Sequence, residues 1–112
     1  MIRIGLAQKD HKITGFTVAG HSGTAPKGED IVCAGVSALT QAALMGLTEH
    51  LKRSDVTYKM ESGLLEVRLA ASPDDCTEAV LRSMSLGLEA IAEQYPRAVK
   101  LEMTEGRTDR ND

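Results

Sequence analysis

The chain has 112 residues, of which 42% are hydrophobic and 26% charged, with a net charge of −3. That length makes one domain, which buries about two thirds of the surface the unfolded chain exposes. Aromatics at 3%, no Trp and no basic stripe leave neither stacking platforms nor an electrostatic footprint for nucleic acid.

Ile2, Ile4 and Leu6 alternate with Arg3, Gly5 and Ala7, the period of a half-buried strand. This opening lacks the long apolar run of a signal peptide, and no segment is expected to reach membrane-spanning length. The polar turn Lys9-Asp10-His11-Lys12 leads to a second strand, Ile13 to Ala19, so the pair reads as a hairpin. His11 reads as a solvated turn residue.

Gly20 to Glu29 reads as a loop, with Gly20, Gly23 and Gly28 permitting unusual backbone angles. Asp30 reads as an N-cap for a helix from about Ile31 to Arg53. Val32, Gly35, Val36, Leu39, Ala42, Ala43, Gly46 and Leu47 share one face at helical spacing. Ile31, Ala34, Ala38 and Met45 widen the stripe, which predicts burial on more than one side. His50, Lys52 and Arg53 suit the negative end of the helix dipole.

Val56, Tyr58 and Met60 predict a third strand. Ser62-Gly63 is a turn, and Leu65, Val67 and Leu69 predict a fourth strand. Ser72 and Pro73 read as cap and first residue of a second helix. Its buried face is predicted from Cys76, Val80, Ser83, Met84, Gly87, Leu88 and Ile91, with Pro96 near its end. Val99, Leu101 and Met103 predict a fifth strand. The order β-β-α-β-β-α-β predicts an α+β, two-layer fold, a mostly antiparallel sheet with both helices on one face. The domain is drawn over residues 1–104, with 105–112 as a polar tail.

Two cysteines, Cys33 and Cys76, are too few for a disulfide framework and suit a reducing cytoplasm. Cys76 continues an apolar stripe and reads as structural. Cys33 stands twelve positions after His21, across the Gly-rich loop. A cysteine attacks as its thiolate, which a helix N-terminus and a nearby imidazolium both favour. With Asp30 as the cap, Cys33 falls among the orphan N–H groups of the first turn. His21 can then act as base and acid, and free N–H groups can hold an oxyanion. Asp30 either caps the helix or orients His21. Ser37, one turn beyond Cys33, shares its face.

Gly20-His21, Gly28 and the run Asp30-Ile31-Val32-Cys33-Ala34-Gly35-Val36-Ser37 together resemble the signature of the bacterial ribosomal-processing cysteine proteases, the Prp family. The resemblance spans nearly the whole chain. It implies a cytoplasmic endopeptidase that removes a short N-terminal extension from a large-subunit ribosomal protein (bL27-like). It implies Cys33 as nucleophile, His21 as base and acid, and Asp30 and Ser37 as supporting positions. The loop bearing Gly20, Ser22, Gly23, Thr24 and Gly28 would close over substrate. Ser22 and Thr24 depart from the family pattern, in which many relatives carry a small apolar residue and an aromatic there. A homodimer is also implied, with no cofactor, no metal, no membrane and no direct nucleic-acid partner.

Two other readings remain at this stage. A metal site on His21 and Cys33 has two of the roughly four ligands that structural zinc needs. A non-catalytic ribosome-associated binding module of the same fold would make Cys33 a packing residue, and fold alone does not choose.

Overall fold

The computed structural model describes residues 1–20 and 27–105, with the backbone alone at 27–30. Its elements are β1 (Ile2–Lys9), β2 (Lys12–Ala19), α1 (Lys27–Met45), β3 (Val56–Glu61), β4 (Leu64–Leu69), α2 (Asp75–Gln94) and β5 (Val99–Glu105). They form one five-stranded sheet in the order β3-β4-β2-β1-β5. Every neighbouring pair is antiparallel except β1 and β5. The predicted α+β architecture and element order are therefore observed.

The alternation read in the sequence becomes two distinct sheet faces. Ile4 pairs with Val18 and Leu6 with Phe16, while Phe16 pairs with Val67 and Val18 with Leu65. Directly paired residues share a face, and this one carries the core: Ile2, Ile4, Leu6, Phe16, Leu65, Val67, Leu69 and Val99 are all buried. Both helices lie on that side. Gly87 lets α2 approach α1 closely, since a Cβ there would stand 2.9 Å from a methyl of Leu39.

The β1–β2 turn is tighter than the four polar residues suggested. Lys9 and Lys12 pair in the ladder, and Asp10 and His11 make the turn with φ of 54° and 67°. Two positive φ values in sequence match the right-handed twist of a two-residue hairpin. Glu78 on α2 fixes this hairpin by accepting the Ile13 N–H at 2.9 Å. Arg82 bonds Glu78 and donates to the His11 carbonyl at 3.0 Å.

Several expected boundaries move. Helix α1 starts at Lys27, so Gly28 is helical and Asp30 lies inside the first turn rather than at the cap. After Met45 the helix widens into one π-helical turn, Gly46–His50, closed by the Leu51 N–H on the Gly46 carbonyl at 2.8 Å. Lys52 then reverses the chain at φ 54°. Arg53 is thus past the helix, where it pairs with Asp55 at 2.7 Å.

Asp74, not Ser72, caps α2 by accepting the Thr77 N–H at 2.8 Å. Thr77, Leu81, Met84, Ser85 and Leu88 are the buried residues, whereas Cys76 and Ser83 are exposed. The structural role expected for Cys76 does not hold.

The 31–50 segment also departs from expectation. It has twenty residues with a mean hydropathy of 1.6, long and apolar enough by length and composition to cross a membrane. In the fold, Val32, Val36, Ala43, Leu44 and Leu47 settle on the sheet. The opposite side does not share that burial: Ile31, Ala34, Ala38, Ala42 and Met45 are exposed in the single chain.

Candidate active site

Cys33 is half-buried on the flank of α1, with a free thiol. It opens onto a cleft of about 270 Å³. Ile2, Val18, Val36 and Leu65 give the cleft an apolar lining, while Ser37, Thr40 and Gln41 continue along α1 from the thiol. The β3–β4 hairpin supplies Met60, Glu61, Gly63 and Leu64. Ser37 is half-buried one turn beyond Cys33, where the sequence put it. The Thr40 hydroxyl donates back to the Val36 carbonyl of its own helix at 2.9 Å.

The other end of the motif is anchored from the sheet. Gly20 follows β2 at φ 87°, and its N–H donates to the Gly63 carbonyl at 2.9 Å. A Cβ on Gly20 would stand 2.5 Å from the Met1 carbonyl oxygen. Sterics and backbone angle thus both demand glycine at the residue before His21. Gly20 lines the cleft together with Cys33, so the structure brings both ends of the 20–33 segment to one place. His21, Ser22, Gly23 and Thr24 lie outside the described residues, as do the side chain of Asp30 and tail residues 106–112.

The observed start of α1 changes the electrostatic argument. Only the first four N–H groups of a helix lack an internal partner. Cys33 is the seventh residue of α1, beyond that turn and not in it. The dipole effect also falls off within the first turn. The helix end therefore acts on Cys33 more weakly than the sequence suggested. Among the described residues no group of His, Cys, Asp and Glu is placed to hold a metal ion.

In the sequence, local pattern marks Met60, Gly63 and Leu65 as strand and turn only. They reach the site because β4 pairs with β2, a long-range pairing that no local signal announces.

A family model described as Cysteine protease Prp matches residues 1–100. The chain is similar to the ribosomal processing cysteine protease Prp of Staphylococcus aureus, at 31% identity over 105 residues, covering 90% of this chain and 97% of that one. It is also similar to a crystal structure of S. aureus Prp with a covalently linked product peptide, at a TM-score of 0.78 and 28% identity, covering 93% of this chain and all of that one. Streptococcus mutans SMU.848 shares the fold, at a TM-score of 0.84 and 22% identity over 95% of this chain and 99% of that one. With the motif, the fold and the family match in agreement, this chain belongs to the Prp family of cysteine proteases.

Proposed function

We propose that the protein is the endopeptidase that trims the N-terminal extension from a large-subunit ribosomal protein (bL27-like) in the cytoplasm, with Cys33 as nucleophile and His21 as base and acid. The observation that carries the reading is the half-buried Cys33 thiol at the mouth of a cleft also lined by Gly20, the residue before His21. The curated relative is named as a ribosomal processing protease, and the S. aureus structure holds a covalently linked product peptide.

The chemistry follows from those groups. His21 takes the thiol proton, and the Cys33 sulfur attacks the scissile carbonyl. The C–N bond breaks as the imidazolium protonates the leaving amine, giving a thioester and one free product. Water, deprotonated by His21, then cleaves the thioester and restores the thiol. Asp30 and Ser37 support the two groups, and the loop of Ser22, Gly23 and Thr24 covers the substrate. No cofactor enters the scheme, and no direct nucleic-acid or membrane contact is part of it. The exposed apolar side of α1 is read as the contact surface of a homodimer.

The test is a cleavage assay with the host's extended ribosomal protein beside a Cys33→Ala control, read by product mass. One cut near the substrate N-terminus, absent in the control, is the expected result. Binding without cutting would favour a non-catalytic module instead. The iodoacetamide rate is an independent readout: fast in the wild-type chain and slower in His21→Ala for the enzyme, equal to a free-cysteine peptide for the module.

A further inference from the structure

Two of the exposed large apolar residues lie on one edge strand. Tyr58 is 57% and Met60 51% exposed, and β3 ends the sheet. Tyr58 pairs with Val67 and Met60 with Leu65, both buried in the core. Cross-strand partners share a face, so Tyr58 and Met60 project to the helix side, yet neither helix covers them. The alternate residue Lys59 faces the other side, opposite Glu66 and 3.7 Å from Glu61. The apolar strip is also continuous with the cleft. Met60 lines it beside Cys33, and Tyr58 stands two residues further along the strand, roughly 7 Å away.

We propose that Met60 and Tyr58 are specificity-determining residues that seat an extended stretch of substrate on one side of the cut. The substrate carries apolar side chains at two alternate positions, the nearer against Met60 and Leu65 and the farther against Tyr58. The spacing supports this, because an extended peptide repeats its face at the same interval of roughly 7 Å as β3 itself. The surface chemistry supports it too: a flexible thioether adapts to apolar shapes, and a phenol ring gives a broad apolar contact. The inference rests on the protease reading above, since it extends the Cys33 cleft.

The test uses a randomised decapeptide library, with products sequenced after limited cutting. The wild-type chain should enrich apolar residues at two positions separated by one, on the same side of the cut. Tyr58→Lys should reduce the farther enrichment by about tenfold, as loss of one buried apolar contact allows, and leave the nearer one. Met60→Lys should do the reverse. Tyr58→Thr, which keeps strand propensity, should weaken the farther enrichment without a folding penalty. Lys59→Ala, on the opposite face, should match wild type. A library cut with no alternating preference, or with a profile insensitive to both residues, overturns this inference alone. A wild-type chain that cuts nothing overturns the protease reading, and this inference with it.

Discussion

The Gly20 N–H donates to the Gly63 carbonyl at 2.9 Å, joining the end of β2 to the turn between β3 and β4. Both glycines are in the left-handed region, at φ 87° and 75°. The bond fixes where the chain leaves the sheet one residue before His21. Gly20→Ala adds left-handed strain and places a methyl against the Met1 carbonyl. Such strain costs about 1–3 kcal/mol. We expect the unfolding free energy to fall by that amount, read as a lower denaturant midpoint, and a fall in kcat that exceeds the change in KM. Unchanged stability and turnover would refute the anchoring role.

A second constraint lies at the other end of the β3–β4 hairpin. Arg53 donates to both carboxylate oxygens of Asp55, at 2.9 and 2.7 Å. It also donates to the Thr77 hydroxyl and the Ala71 carbonyl, each at 3.2 Å, while Asp55 accepts the Ala71 N–H at 2.7 Å. One ion pair thus joins the exit of α1, the end of β4 and the start of α2. Its hydrogen bonds with Arg53 and with the Ala71 N–H lower the Asp55 pKa to about 2. A carboxylate depressed in the folded state stabilises above its unfolded value, near 3.9. That contribution is fully present at neutral pH. It is lost as pH falls from about 4 through about 2. Thermal melts should show this loss in the wild-type chain and a flatter acid limb in Asp55→Asn. Arg53→Ala should cost about 1.5–3 kcal/mol at neutral pH, the range for hydrogen bonds to charged groups.

Local pattern carried much of this fold. Strand alternation survives in β1, β2 and β4, which bury one face: Ile2, Ile4 and Leu6 are all buried, as their spacing required, whereas Tyr58 and Met60 alternate on β3 without burial. Helix boundaries were less legible. The glycine in Lys27-Gly28-Glu29 reads as loop, yet the helix begins at Lys27. A shift of that size moved Cys33 out of the first turn. In α2 the polar Thr77 and Ser85 are buried, which an apolar stripe does not announce, and Cys76 beside Thr77 turns outward. The cleft was half legible. Cys33 and Ser37 lie on one helix at local spacing, whereas Met60 and Leu65 arrive through the β2–β4 pairing. Arg53, a positive charge suited to a helix end, finds a better partner in Asp55 two residues on.

The cleft wall gives a prediction that separates access from chemistry. Ser37 sits between Cys33 and Gln41 along the cleft. Ser37→Leu should fill it, raising KM for peptide substrates by tenfold or more, on the order of one excluded apolar contact. Iodoacetamide, a much smaller reagent, should still reach Cys33. Ser37→Ala removes the hydroxyl and adds no bulk, so a drop in kcat with constant KM would assign the hydroxyl to the chemistry. Cys33→Ser should abolish cutting and keep the melting temperature close to wild type, since the thiol is only half-buried.

The outward face of α1 carries the last prediction. Ile31 is 67% and Met45 52% exposed, with Ala34, Ala38 and Ala42 exposed between them. These positions lie on the side of the helix away from Val32, Val36 and Leu47, so the segment is apolar on both sides but buried on one. Small residues in the middle and large ones at each end allow a second α1 to approach closely. A homodimer would cover this face, and sedimentation equilibrium should give twice the 12.0 kDa chain mass. Ala38→Arg places a charge at the centre of the contact, where an unpaired buried charge is strongly unfavourable. That variant should sediment as a monomer with its fold intact by circular dichroism. A monomeric wild-type chain at micromolar concentration would remove the dimer from the scheme. The apolar face of α1 would then call for a different partner.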